Sequence, residues 1–145
     1  MLESPSKPRI LIVEDDELVA IFIQLKLELF GYQAIGQASR GEDAIVMAGE
    51  LKPDLILMDC LMPILDGFES TRLIRADEQN RQLPRMPIVA LTANALSEDE
   101  ARCLQAGMDG YLSKPFTEEQ LLAMLSKHLP QASNANGAQH ALSPA

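Results

Sequence analysis

Five short apolar runs, each followed by a longer amphipathic stretch, restrict this chain to very few architectures. The runs lie at Arg9–Val13, Gln33–Ala38, Leu55–Asp59, 87–92 and Gly110–Ser113. Three of them are apolar without interruption, from Ile10 to Val13, Leu55 to Met58 and Ile88 to Leu91, as strands covered on both faces must be. These three are expected at the sheet centre. Helices are predicted between the runs, over 16–30, 40–51, 67–77, 97–106 and 117–129. Such alternation is the pattern of an α/β fold with a doubly wound, five-stranded parallel sheet and five helices.

The helix ends carry their own signals. Ser39 with Glu42, Ser97 with Glu100 and Thr117 with Gln120 each match a capping box, in which two side chains satisfy backbone N–H groups reciprocally. Gly31 and Gly107 stand where left-handed C-terminal caps are wanted. Leu121, Leu122, Leu125 and Leu129 form the expected buried stripe of the last helix. The 145 residues have room for one domain, over 9–129, after a flexible segment, 1–8. From Pro130 onward the chain is small, polar and without aromatics, so 130–145 is expected to be a disordered tail or linker.

Twelve basic residues against twenty-one acidic ones give a formal charge of -9, which disfavours nucleic acid and anionic lipid as partners. Cys60 and Cys103 stand far apart with no Cys-x-x-Cys, so neither a disulfide framework nor a zinc site is suggested. No apolar run approaches the roughly 20 residues of a membrane span, and the N-terminus lacks the apolar core of a signal peptide. A soluble protein of the reducing cytoplasm is expected. Gly-x-x-x-x-Gly-Lys does not occur, which removes a Walker-type nucleotide site.

In doubly wound sheets, ligands bind beyond the carboxyl ends of the strands. There the sequence places Glu14-Asp15-Asp16 after the first strand, Asp59 at the end of the third, Thr92 at the end of the fourth and Lys114-Pro115 after the fifth. Converging carboxylates repel one another and raise their own pKa values unless a cation neutralises them. Oxygen-only ligands with room for water and phosphate describe Mg²⁺ (or Mn²⁺) better than zinc or copper. A lysine beside such an ion can stabilise charge on a transferring phosphoryl group while a carboxylate acts as nucleophile. The set therefore points to phosphoryl transfer onto an aspartate.

Val13-Glu14-Asp15-Asp16, Met58-Asp59-Cys60-Leu61-Met62-Pro63 with Asp66-Gly67, Ala90-Leu91-Thr92-Ala93-Asn94-Ala95 and Gly110-Tyr111-Leu112-Ser113-Lys114-Pro115-Phe116 together resemble the signature segments of two-component response-regulator receivers. The resemblance covers about residues 9 to 129. It implies a flavodoxin-like strand order, 2-1-3-4-5, and a phosphoprotein rather than an enzyme. It makes Asp59 the phosphoacceptor, Asp15 a direct metal ligand, Glu14 a metal-site acid acting largely through water, and the Leu61 carbonyl a further ligand. Thr92 and Lys114 would contact phosphoryl oxygens, Tyr111 would be an aromatic switch, and Lys114-Pro115 would be cis. A sensor histidine kinase is the implied phosphodonor, and a histidine phosphotransfer domain or another protein the target. The polar stretch 75–87 is similar to receivers of hybrid kinases, although a stand-alone regulator fits too.

Each residue also has a plainer reading. Glu14-Asp15 could serve only a helix dipole, Asp59 could be a turn residue before Met62-Pro63 and Asp66-Gly67, Thr92 a cap and Lys114 a solvated charge. Tyr111 could be partly buried packing. The cysteines and methionines read as core, and neither His128 nor His140 looks like a phosphotransfer histidine. Three competing functions share parts of the pattern. A haloacid-dehalogenase-like phosphatase needs an acid where Leu61 stands, an FMN module has no use for three acids at a phosphate site, and a pseudo-receiver would lack one of the acids, Thr92 or Lys114.

Overall fold

In the computed structural model, which describes residues 7–60, 62, 65–93 and 97–129 (of 97–99, the backbone), all five apolar runs become strands. β1 is Arg9–Val13, β2 Gln33–Ala38, β3 Leu55–Asp59, β4 Ile88–Thr92 and β5 Gly110–Ser113. α1 is Glu17–Leu29, α2 Gly41–Leu51, α3 Gly67–Asn80, α4 Ser97–Ala106 and α5 Glu118–His128. The sheet is wholly parallel, in the order β2-β1-β3-β4-β5. The three uninterrupted runs occupy its centre, as their composition requires.

Strand side chains alternate between faces, and the sequence fills both. Leu11, Val13, Ile56, Met58, Ile88 and Ala90 meet residues of α2, α3 and α4 on one side. Ile10, Ile12, Leu55, Leu57, Val89 and Leu91 meet α1 and α5 on the other. Cys60 and Cys103 are buried in the first cluster, with Met58, Met62 and Met108, as expected of core residues. β2 lies at the sheet's edge and carries a bulge opposite Ile10 and Leu11.

The helix ends follow the sequence in part. Gly31 and Gly107 adopt φ of 94° and 103° and close α1 and α4 as left-handed caps. The Thr117–Gln120 capping box forms at α5. The Ser39–Glu42 box does not: Arg40 holds the cap position of α2 without a side-chain bond, and its guanidinium takes the Glu42 carboxylate at 3.1 Å. Leu122 is likewise corrected, being 38% exposed while Leu121, Leu125 and Leu129 are buried. A helix stripe covers only part of the circumference, and Leu122 falls at its margin. α3 runs three residues past its predicted end, because Glu78 turns inward to Arg75 and Asp77 pairs with Arg81, keeping this polar stretch helical. The expectations for Leu61, the Ser97 cap, the first six residues and 130–145 lie outside the described residues and side chains.

Candidate functional site

Four strands deliver the candidate residues to the carboxyl edge of the sheet. Glu14 and Asp15 follow β1 directly, Asp59 ends β3, Thr92 ends β4 and Lys114 follows β5. Glu14 is held on both sides: its N–H donates to the Ala38 carbonyl at 3.0 Å, and its Oε2 accepts from the Asp16 N–H at 3.1 Å. Asp16 is used differently. Its Oδ1 accepts from the N–H groups of Leu18 and Val19 at 3.0 and 3.4 Å, so this third acid caps α1.

Carboxylate oxygens of Glu14, Asp15 and Asp59 lie within 4.8 Å of one another. Glu14 and Asp59 are buried, and Asp15 faces solvent. The Lys114 ammonium stands 2.9 Å from Glu14 Oε1 and 3.4 Å from Asp59 Oδ1. Burial alone would lower the Lys114 pKa, but Glu14 and Asp59 outweigh it and hold the ammonium above the usual lysine value. One ammonium against three carboxylates leaves negative charge in excess. Glu14 Oε1 is buried, with the Lys114 ammonium against it. An all-oxygen cluster whose negative charge a single ammonium does not balance fits a hard divalent ion.

The remaining residues take the places their strands assign. Thr92 is buried beside Asp59, since β3 pairs with β4 through Asp59 and Leu91, and its carbonyl accepts from the Lys114 N–H at 2.7 Å. The Lys114-Pro115 bond is cis. Thr92 is opposite Ser113 and Ala90 is opposite Tyr111, so Tyr111 stands on the strand beside Thr92, one pleat further back. Its ring is partly buried against the cluster on the α4 side.

Two features were missed from the sequence. Gly67 packs so closely that a Cβ there would collide with the Asp59 carbonyl oxygen, and its N–H donates to the Cys60 carbonyl at 3.2 Å. Asp66-Gly67 signals a loop, yet the demand for glycine comes from this approach. The second is a charge cluster at the opposite edge. Arg75 reaches Glu78 at 2.9 Å, Asp109 at 2.8 Å and the Gly107 carbonyl at 2.9 Å, and Arg85 adds a bond to Asp109 at 2.7 Å. Arg75 and Glu78 are a local pair three residues apart, but no local pattern links them to Arg85, Gly107 or Asp109.

The geometry and the comparisons agree on the class. The model of the response regulator receiver domain matches residues 10–126, and the chain belongs to this family of two-component signalling domains. A solved receiver domain of a sensor histidine kinase from Pseudomonas aeruginosa PAO1, described with a magnesium ion coordinated in its active-site cleft, is 43% identical. It has a TM-score of 0.75, with 85% of this chain and 98% of that chain covered. The chemotaxis protein CheY4 of Vibrio cholerae is 29% identical with a TM-score of 0.77, covering 86% of this chain and all of that one, 100%. Among curated relatives, the sensor protein GacS of Pseudomonas syringae pv. syringae is 41% identical over 125 residues, 86% of this chain and 14% of that protein. The transcriptional regulator RpaA of Synechocystis is 35% identical, over 86% of this chain and 53% of that protein. The chain thus spans a fraction of the length of these two relatives. Among the described residues no helix is long and apolar enough to cross a membrane.

Proposed function

We propose that the chain accepts a phosphoryl group on Asp59 from a sensor histidine kinase, in the cytoplasm, and presents the phosphorylated state to a protein partner. The observation that carries this is the convergence of Glu14, Asp15 and Asp59 within 4.8 Å, with the Lys114 ammonium against two of them. The Asp59 carboxylate is the nucleophile: one oxygen forms the new P–O bond as the bond from phosphorus to the donor's imidazole nitrogen breaks. Lys114 leaves its carboxylate partners for a phosphoryl oxygen, and the Thr92 hydroxyl donates to another. Glu14 and Asp15, with Asp59 and the Leu61 carbonyl, would hold Mg²⁺ or Mn²⁺. When bound, such an ion supplies charge neutralisation to the transferring group.

The added charge draws Thr92 toward Asp59, and Tyr111, on the neighbouring strand, turns into the space behind it. That movement changes the face made by α4, β5 and α5. A macromolecular partner is favoured by α1, which starts beside the acids and turns Leu18, Ile21, Leu25 and Leu29 outward at 79%, 49%, 61% and 69% exposure. Such a stripe suits a kinase or a histidine phosphotransfer domain better than a small-molecule donor alone.

Incubation with acetyl phosphate and Mg²⁺ tests the chemistry by intact-mass measurement. One phosphate is expected on the parent, none on Asp59→Asn and none after EDTA. Equal labelling of the variant removes Asp59 as acceptor, and EDTA-insensitive labelling removes the metal. Thr92→Ala is expected to be labelled, with smaller NMR shifts in β5 than the parent shows.

A further inference from the structure

We infer that Asp16 is a positioning residue for the acid cluster: by capping α1 it holds in place the backbone N–H that aims the Glu14 carboxylate. The inference rests on the proposed reading of Glu14, Asp15 and Asp59 as a metal site, and it concerns a residue outside that set.

Asp16 is bonded in both directions where the chain leaves β1 and enters α1. Its N–H reaches back to Glu14 Oε2 at 3.1 Å. Its Oδ1 reaches forward to the N–H groups of Leu18 and Val19 at 3.0 and 3.4 Å, and its carbonyl accepts from the Ala20 N–H at 3.0 Å. The helix so capped is itself anchored, since Ala20, Ile23 and Leu27 are buried with Ile10 and Ile12 of the sheet. The Asp16 N–H therefore inherits the rigidity of a packed helix.

Glu14 needs such a hold, because a glutamate carboxylate swings on a longer arm than that of an aspartate. The Lys114 ammonium stands against Oε1 at 2.9 Å, and the Asp16 N–H engages Oε2. A donor at each oxygen fixes the plane of the carboxylate. When Lys114 turns to a phosphoryl oxygen, the Asp16 N–H is a hold that stays. Asp15, between the two residues, is placed by the same turn. The Asp16 side chain is exposed and spends its Oδ1 on the helix, so position 16 calls for a capping oxygen rather than a charge.

A Mg²⁺ titration of the full 145-residue chain and three variants, followed by NMR, tests this. Asp16→Asn and Asp16→Ser keep a capping oxygen without the charge, while Asp16→Ala removes both. Asp16→Ala is expected to raise the Mg²⁺ Kd about fivefold, which converts to about 1 kcal/mol, the typical worth of a cap. Before metal is added, the carboxyl carbon resonance of Glu14 should already move in this variant. Asparagine and serine at position 16 should keep the Kd within about twofold of the parent, because an exposed charge outside the cluster is largely screened. If Asp16→Ala melts earlier but leaves both the Kd and the Glu14 resonance unchanged, Asp16 only stabilises α1 and the positioning role is overturned. Equal weakening in all three variants also overturns it, since charge would then be the cause. A parent that binds no Mg²⁺ overturns the metal reading and this role with it, whereas a parent that binds beside an alanine variant that binds equally well overturns the role alone.

Discussion

Gly67 shows how tightly single residues are set around the acids. A methyl group there meets the Asp59 carbonyl oxygen and comes within 2.9 Å of the Cys60 Cα, both backbone atoms of the strand end that carries the site. Backbone cannot rotate aside as a side chain can, so Gly67→Ala should destabilise the fold by about 1–3 kcal/mol, the usual cost of overpacking. A lowered urea midpoint with unchanged slope is the expected result. An unchanged midpoint would mean that the loop after Asp59 yields without cost. Glu14, Asp15, Asp59, Thr92 and Lys114 were legible in the sequence because their place at strand ends is a matter of chain order. Gly67 was not, because its necessity arises from the approach of the start of α3 to the end of β3. Asp16 was read with its acidic neighbours, and only the hydrogen bonds to Leu18 and Val19 separate cap from site.

Among elements, α3 is tied to the far edge of the sheet chiefly through Arg75. Its side chain is 11% exposed, Glu78 is 8% and Asp109 is 22%, so removing the guanidinium strips buried Glu78 of its cation and leaves Asp109 only the exposed Arg85. Arg85 touches the same Asp109 but is 57% exposed. Arg75→Ala is therefore expected to cost on the order of 3 kcal/mol, and Arg85→Ala no more than about 1 kcal/mol. Thermal melts of the two variants decide this, and equal losses would show that burial does not set the value of these pairs. The strands were legible almost to the residue because apolar runs end where burial ends. The end of α3 was less so, since Asp77 and Glu78 look like loop residues until Arg81 and Arg75 are seen beside them. The Ser39 box failed for a similar reason: a cap motif states what a side chain can do, and Arg40 offered Glu42 a better partner.

At the scale of the whole molecule, the pH dependence of stability should carry the mark of His128. Its Nε2 is buried without a hydrogen-bond partner among the described residues, at the point where α5 packs on the start of β5. Burial holds the imidazole below its ordinary value of 6.5, Asp109 opposes this and Lys127 adds to it. On acidification the unfolded chain binds this proton first, so the contribution is whole above 6.5 and declines as pH falls through the lower, folded value. His128→Gln should flatten the slope of stability across that window in urea melts. An identical slope would assign it to other groups.

The same sheet also fixes the order in which charges can be balanced as the chain is made. The acids leave the ribosome first, on β1 and β3, and the ammonium that answers them follows Asp59 by 55 residues. It arrives behind β5, an edge strand of four residues and the last of the sheet. Until that strand docks, a nascent chain can gather its three carboxylates only against their mutual repulsion or around a cation taken from solution. The ammonium that partly offsets these acids thus hangs on the shortest and latest strand of the fold.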